Sequence, residues 1–169
     1  MRIGLTALAA ALAFAGAAVA ETGAWRVEGQ PGAAPYRLSL DGLGPGVTYA
    51  FECRPDGVLI TETGVTQLMD IRTGKKVSDE PGSTITPGAA YLMLMTAEKP
   101  EPAFMEAKAT PNPVRGWDLS IVAPKSDRQW QAFPRAKMVS LMTTGWTIGV
   151  ELNDVSRKLI AGFVKGCGS

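Results

Sequence analysis

Hydrophobic and polar residues alternate with a period of two in four segments of the chain. In each segment one set of alternate side chains is apolar or aromatic and the intervening set is mostly polar, which is typical of a strand with one buried face. The apolar sets are Tyr36, Leu38 and Leu40; Val47, Tyr49, Phe51 and Cys53; Trp117, Leu119 and Ile121; and Trp146, Ile148, Val150 and Leu152. A shorter segment, with Trp25 and Val27 on one side, predicts another strand at the start of the sheet.

Two short runs are apolar on both of their alternating faces. The first is AYLMLMTAEK at 89–98, and the second is KMVSLMTT at 137–144. Continuous apolar runs of this kind are typical of strands that are covered on both sides. Six methionines follow the initiator, namely Met69, Met93, Met95, Met105, Met138 and Met142. Four of them, Met93, Met95, Met138 and Met142, lie in these two runs.

Turn-forming residues separate several of these segments. Arg54-Pro55-Asp56-Gly57 follows the 47–53 segment and precedes another apolar run. This combination predicts a hairpin, because proline fixes its own φ angle and glycine accepts a positive one. Thr144-Gly145 predicts a second chain reversal after the second methionine-rich run.

Two short helices are predicted from capping patterns. Ser126 with Gln129 three residues later resembles a capping box, and Pro134 would end that helix. Thr63 would cap a turn or two of helix that ends at Gly74.

The C-terminal segment has apolar residues at helical spacing. It begins after Asn153-Asp154, has Gly166 near its end, and its apolar positions are Val155, Leu159, Ile160, Phe163 and Val164. This spacing predicts a helix that packs one face against the sheet. Cys167 follows Phe163 by four positions and therefore extends the apolar face.

The two cysteines, Cys53 and Cys167, are predicted to form one disulfide. Both lie on apolar faces, one on a strand and the other on the last helix, so both thiols point toward the same interior. An oxidising compartment, predicted below from the N-terminus, favours the same pairing, with two free thiols as the alternative. The chain contains no C-x-x-C pair, so the predicted bridge is structural rather than catalytic.

These elements predict an α+β fold. We expect an antiparallel β-sheet or compact sandwich of seven to nine strands, with short helices and a C-terminal helix pinned by one disulfide. Residues 21–169 are expected to form a single β-rich exported domain. The proline-rich stretch 98–116 is either a sub-boundary within that domain or an edge segment, since proline cannot donate to a strand ladder.

The first twenty residues, MRIGLTALAAALAFAGAAVA, resemble a secretory signal peptide. A basic start, a short apolar stretch and small residues before the cut are its defining features. Cleavage after Ala20 would leave a chain that begins at Glu21. A membrane anchor is the competing interpretation, which the alanine- and glycine-rich composition disfavours. We therefore predict export to the periplasm, with secretion from the cell as the alternative.

Charge and hydropathy exclude two classes of partner. Without Arg2, 16 basic and 16 acidic residues remain, and they form no block of one sign. A neutral chain of this kind is not expected to bind nucleic acid or an anionic membrane surface. After residue 20 no apolar run is long enough to span a bilayer, so no transmembrane span is predicted in the mature chain.

The chain contains no histidine, which removes many catalytic and metal sites. Serine and cysteine nucleophiles paired with imidazole, and histidine-ligated zinc or haem, are excluded. A carboxylate pair could still hydrolyse a glycoside. The candidate acids are Glu52, Glu62, Asp70, Asp118 and Glu151. Alternation places Glu52, Asp118 and Glu151 on the solvent side of their strands, which favours a surface role for those three.

The methionines suggest either a copper(I) site or core packing. Thioethers suit soft copper(I), but they also fill irregular gaps between a sheet and a helix. Copper(I) sites usually add imidazole and a polar loop open to the metal, and neither is found in the sequence. Core packing is therefore the favoured interpretation, and no metal or cofactor is predicted.

Three tryptophans, Trp117, Trp130 and Trp146, could line a sugar or peptide groove. Each lies on the apolar side of its own element, which favours the core. Trp130 is the one expected to be partly exposed, and it is the candidate ligand-contact aromatic.

The function that these observations favour is a non-catalytic exported binding or interaction module, with inhibitor-like activity as one form. Its partner would be a protein, a cell-envelope component or a small apolar ligand. The alternative is a carboxylate-dependent envelope hydrolase, and the third hypothesis is a copper(I) carrier that uses methionine.

Overall fold

The computed structural model describes residues 23–43, 47–96 and 105–168. The predicted signal peptide at 1–20 lies outside these residues.

Six antiparallel strands form the larger of two sheets. In spatial order they are β1 (Ala24–Glu28), β2 (Arg37–Asp41), β3 (Tyr49–Arg54), β4 (Gly57–Val65), β8 (Trp117–Ala123) and β7 (Lys108–Pro111). The predicted hairpin at 54–57 joins β3 to β4, with Arg54 opposite Gly57. Glycine suits this turn because Gly57 has a φ of +158° and a side chain there would meet the backbone of Ala123.

Four antiparallel strands form the smaller sheet. In spatial order they are β10 (Trp146–Glu151), β9 (Met138–Thr143), β5 (Tyr91–Thr96) and β6 (Met105–Glu106). The predicted reversal at Thr144-Gly145 is the turn between β9 and β10, where Trp146 pairs with Thr143. Both methionine-rich runs are therefore strands, and they are neighbours.

Helices cover part of the sheets. Helix α1 (Arg128–Ala132) continues into a 3-10 turn (Phe133–Arg135), and α2 (Asp154–Cys167) ends the described chain. Asn153 caps α2, since its side chain accepts a hydrogen bond from the Ser156 N–H. One continuous hydrophobic core contains side chains from both sheets and from the helices.

The predicted disulfide is present between Cys53 on β3 and Cys167 in α2, with the two Cα atoms 5.5 Å apart. It joins residues 114 positions apart in the sequence. Within α2, the residues facing the core are Ser156, Ile160, Phe163 and Cys167. Val155 was expected on the same face but is 76% exposed, because the buried face is centred on Ser156, Ile160 and Phe163 and Val155 points away from it.

The α+β fold with a pinned C-terminal helix is confirmed, but several details differ from the expectation. The described residues form ten strands rather than seven to nine. The additional strands are β6 and β7, short pieces of the proline-rich stretch. Strand β7 contains Pro111 and is the outer strand of its sheet, so the edge alternative is confirmed for residues 108–111.

The predicted helix between Thr63 and Gly74 is wrong. Strand β4 continues through Thr63 to Val65, and Gly64, with a φ of +72°, forms a bulge that shifts the register with β8. The Asp118 carboxylate accepts a hydrogen bond from the Gly64 N–H at 3.1 Å and holds the bulge. Beyond it a tight loop forms, closed by a bridge between Met69 and Lys76.

The start of α1 is one residue later than predicted. Asp127, not Ser126, is the cap, and its side chain accepts hydrogen bonds from the backbone N–H groups of Gln129 and Trp130. Aspartate outcompetes serine here because it can accept two hydrogen bonds at once with a full negative charge at the helix start.

None of the helices among the described residues has the length and apolarity that a membrane crossing requires.

Candidate functional site

An open groove of about 560 Å³ lies where the chain passes from the smaller sheet to the larger one. One wall is the loop at 85–90, and the other is the segment from Glu106 to Ala109 that links β6 to β7. The volume lies in the range of sites that hold small molecules or short peptide segments. We call this feature the crossover groove.

Backbone contacts hold the two walls of the crossover groove together. The Ala107 N–H donates to the Ala90 carbonyl at 2.9 Å, and the Ala89 N–H closes a turn onto the Thr86 carbonyl at 3.1 Å. Gly88 has a φ of +75°, and a Cβ atom there would lie 3.5 Å from Oε1 of Glu106. The loop thus lies close to the segment between β6 and β7, with Gly88, which has no side chain, next to Glu106.

Small apolar side chains line the base of the crossover groove, and charges lie at its rim. Ala90 and Ala107 are buried, while Glu106 and Lys108 are exposed and carry opposite charges. Beside the groove runs β7, which has no strand on its outer side among the described residues. An edge strand offers unpaired backbone groups that an extended peptide can match.

The loop that forms one wall is anchored by Asp79. Its carboxylate accepts a hydrogen bond from Arg115 at 2.7 Å and another from Lys76 at 3.3 Å, and its carbonyl accepts from the Gly116 N–H at 2.9 Å. Desolvation raises the pKa of Asp79, but hydrogen bonds from its own backbone and from Lys76, with the charges of Arg115 and Lys76, outweigh it and hold the pKa below its usual value. The anchor is therefore an ionised carboxylate at neutral pH.

Three of the five candidate acids make local structural contacts. Glu52 pairs with Arg54 on the same strand, at 3.1 Å between Oε1 and Nε. The Asp70 carboxylate accepts hydrogen bonds from the backbone N–H groups of Arg72 and Thr73, at 2.8 and 3.2 Å, and so stabilises the turn that follows it. Asp118 holds the bulge in β4 and also accepts from the Asn112 amide at 2.8 Å. Each of these arrangements orders the backbone around it.

Glu62 is the one candidate acid that the structure buries completely. It points from β4 into the core, between Tyr49 on β3 and Leu119 on β8, which are its partners in register. Burial, together with the charge of Glu62 and a hydrogen bond to it, raises the pKa of the Tyr49 phenol far above its usual range. Neither residue lines the crossover groove, so this pair is a polar contact of the core.

Glu151 lies apart from the other four candidates. With Lys137 and Arg157 it lines a shallow groove of about 550 Å³ between the end of β10 and the start of α2. Arg157 forms an ion pair with Asp154, and Lys137 and Glu151 are exposed, so this groove is a solvated charged patch.

The tryptophans are placed as the burial argument favours, with one correction. Trp117 is 2% exposed, and its indole N–H donates to the Ser78 carbonyl at 3.0 Å. Trp130, the candidate ligand-contact aromatic, was expected to be partly exposed and is only 1% exposed. That expectation is wrong because the Trp130 ring packs among Phe51, Phe133 and Phe163, and it meets Phe163 of α2 edge-on at 6.0 Å. The side chain of Trp146 lies outside the described set.

The methionines differ in how far they are buried and in which face of the smaller sheet they occupy. Met105 packs against the hydrophobic core, as expected. The four methionines of β5 and β9, however, project from the other face of the smaller sheet, and among the described residues they are not members of the core cluster. We call this surface the methionine face. Met93 is nonetheless buried, at 3% exposed, as core packing predicts, Met95 and Met142 are half-buried, and Met138, at 40% exposed, departs from that prediction.

Sequence reasoning missed both the crossover groove and the methionine face. The groove is built by a loop-like stretch, DEPGSTITPGAA at 79–90, whose alanines and glycines carry no chemical signal. The methionine face was visible as alternation within 91–95, where methionines take one side and leucines the other. What covers each side was not visible, because it depends on the order of strands in space.

Comparisons of this chain with protein-family models, with curated proteins and with solved structures find no match.

Proposed function

We propose that the chain is an exported, non-catalytic binding module that holds a short extended segment of a protein partner in the crossover groove. Inhibition of that partner is one form that the activity would take. The proposal rests on a groove of peptide size beside an edge strand, in a fold that a long-range disulfide secures.

The groove itself supports an extended peptide as the occupant. An incoming strand can pair with β7 only over residues 108–110, because Pro111 has no N–H to donate. The lining is mostly apolar, with alanines, Gly88, Ile85 and Pro87, and suits small or aliphatic side chains of the ligand. Glu106 and Lys108 at the rim favour a segment that carries one charge of each sign.

The surroundings of the candidate acids support a role other than catalysis. Glu52, Asp70 and Asp118 are engaged in local contacts, and Glu62 is enclosed in the core beside Tyr49. General acid–base catalysis needs a carboxyl group within reach of a bound substrate. In the crossover groove the only acid lining the wall is Glu106, so a pair of carboxylates across this cleft is lacking within the described residues.

Export is supported by the leader-like N-terminus and by the disulfide, which an oxidising compartment preserves. If residues 1–20 are a cleaved signal peptide, mass spectrometry of the protein recovered from its bacterial envelope fraction will give Glu21 as the first residue. A chain that keeps Met1 would contradict export by this route.

The binding proposal is tested by affinity capture from envelope extract with the oxidised chain Glu21–Ser169. Thr86 is exposed on the groove wall, so Thr86→Trp would fill the groove without disturbing the core. We expect the wild type to enrich one protein and Thr86→Trp to lose it. The matched control is Val155→Trp, which adds a tryptophan at an exposed site on α2.

Capture that Thr86→Trp and Val155→Trp retain equally would place the interface elsewhere and overturn the groove as the site. Capture of peptidoglycan or another glycan in place of a protein would contradict the choice of partner. If neither protein nor glycan is retained, the hydrolase alternative returns, and turnover of envelope polysaccharides becomes the next assay.

A further inference from the structure

We propose that Met93, Met95 and Met142 form a binding site for a soft monovalent cation, copper(I), on the methionine face. This site is separate from the crossover groove, and it does not rest on the binding function proposed above.

Strand register brings the three thioethers together. Met93 on β5 is directly opposite Met142 on β9, and Met95 is opposite Ser140. Directly opposed side chains have Cβ atoms about 5 Å apart, and diagonal neighbours such as Met95 and Met142 are about 7–8 Å apart. A methionine side chain has three rotatable bonds beyond Cα, so the three sulfur atoms can converge on one point above the sheet.

The two faces of these strands differ in chemistry rather than in polarity. The core side carries Leu92, Leu94, Val139 and Leu141, and the opposite side carries the four methionines. Leucine and methionine have similar volume and exchange at small cost in a packed interior. If the second face needed only apolar cover, leucine would serve there too. The presence of methionine rather than leucine on this face therefore indicates that the thioether sulfur atoms have a role there.

The exposure of the thioethers increases from Met93 to Met138 across the methionine face. Met93 is only 3% exposed, Met95 and Met142 are half-buried, and Met138 is 40% exposed. The gradient runs from an enclosed thioether to an open one, as a preformed site needs if a metal is to enter it.

Gly149 on β10 makes room beside the site. A Cβ atom at this glycine would lie 3.4 Å from Sδ of Met138 and 3.2 Å from Oγ of Ser140. The Met138 thioether thus lies across the neighbouring strand, next to Ser140. This position suits Met138 to a first contact with the metal rather than to the final ligand set.

The donor set selects a soft ion. Thioethers bind copper(I) and discriminate against calcium, magnesium and zinc, which prefer oxygen or imidazole and thiolate ligands. The chain contains no histidine, and within residues 23–43, 47–96 and 105–168 histidine, cysteine, aspartate and glutamate form no cluster of three or more that could hold a metal. A hard-metal site therefore does not compete among these residues.

The test is an anaerobic titration of the oxidised chain Glu21–Ser169 with copper(I) supplied as its acetonitrile complex, in competition with a colorimetric copper(I) chelator. We expect uptake of one equivalent per chain. The triple variant Met93→Leu, Met95→Leu, Met142→Leu should lose this uptake. The matched control, Met69→Leu with Met105→Leu, removes two methionines outside the site and should keep it. A thiol assay before and after confirms that the disulfide is intact, because free thiolates would also bind copper(I).

A second readout locates the metal without mutation. With methyl-labelled methionine, silver(I) as a redox-inert substitute should shift the resonances of Met93, Met95 and Met142 and leave that of Met105 unchanged. Absence of stoichiometric uptake by the wild type would overturn the proposal. So would uptake that the triple variant retains, or methyl shifts confined to Met69 or Met105. The methyl spectrum decides the matter even if the triple variant does not fold.

Discussion

Two regions of this molecule differ in the kinds of side chain that form them. On one side, β1 to β3 and the helices enclose six aromatic rings whose centroids lie 4.7–6.2 Å apart, and the disulfide ties β3 to α2. Elsewhere, thioethers form the methionine face of the smaller sheet, and mostly small side chains form the crossover groove between the sheets. We refer to the aromatic and disulfide-linked region as the stapled side, and to the methionine face and the crossover groove together as the open side.

The composition of the two sides suits the stapled side to stability and the open side to binding. Aromatic rings and a cross-link have few alternative arrangements, so the stapled side fixes the fold. Thioethers adapt to what they contact, and a groove with small residues leaves space for another molecule. Substitutions on the stapled side should therefore unfold the protein. Those on the open side should change what it binds.

The largest loss of stability is expected from breaking the disulfide. Cys53→Ser and Cys167→Ser should each lower the free energy of unfolding by about 4–5 kcal/mol, because the bridge closes a loop of 114 residues. The double variant should be no less stable than either single one. Chemical denaturation measures all three, and a clear difference between the two single variants would mean that the cysteines have separate roles.

The next largest effect is expected from the aromatic cluster. Phe163→Ala removes a ring that is 1% exposed and that contacts both Tyr36 and Trp130, so it should cost about 3–5 kcal/mol. The matched control on the same helix is Val155→Ala, at a site 76% exposed, which should change stability by about 0.5 kcal/mol or less. Equal losses in the two variants would show that α2 does not pack as described.

A smaller effect is expected from the polar contact within the core. Tyr49→Phe leaves Glu62 without the phenol and should cost about 1–3 kcal/mol at neutral pH. The raised pKa means that Tyr49 keeps its proton in the folded state above pH 10.0, where the unfolded chain loses it. Its contribution is therefore complete below that pH and is lost as the pH rises, by about 1.4 kcal/mol per pH unit.

Denaturation from pH 8 to 12 checks this sign. The stability of the wild type should fall more steeply above pH 10.0 than that of Tyr49→Phe. Parallel curves for the two proteins would mean that the phenol is not enclosed.

The smallest effect on stability is expected on the open side. Each of Met93→Leu, Met95→Leu and Met142→Leu keeps the side-chain volume and should cost less than about 1.5 kcal/mol. The combined variant should nevertheless lose copper(I) uptake. A loss of stability as large as that of Phe163→Ala would show that the methionine face holds the fold together, and the division between the two sides would fail.

The stapled side could be predicted from sequence, because its signals are local. Alternation around Leu38 and Phe51 identified the strands, and the position of Cys167 one helical turn after Phe163 identified the bridge. Two errors also had local causes. Gly64 allowed a bulge that carried β4 past Thr63, and Asp127 displaced Ser126 as the cap of α1.

The open side could not be predicted, because it depends on how elements stack in space. Alternation shows that Met93 and Leu92 face opposite ways, but not which of them meets the core. The same limit explains Trp130, whose ring is covered by Phe51 of β3 and Phe163 of α2, both distant from it in the sequence. The crossover groove is formed by strands of different sheets and by alanine and glycine residues, which give no clear hydrophobic periodicity in the sequence.

The central claim is that binding belongs to the open side, and site-specific photocrosslinking tests it most directly. A photoreactive residue is placed at Lys108, on the rim of the crossover groove, or at Lys158, which is also exposed and lies on α2. After irradiation in envelope extract, we predict one crosslinked protein partner from position 108 and none from position 158. The same partner crosslinked from position 158 alone would place binding on the stapled side and contradict the account.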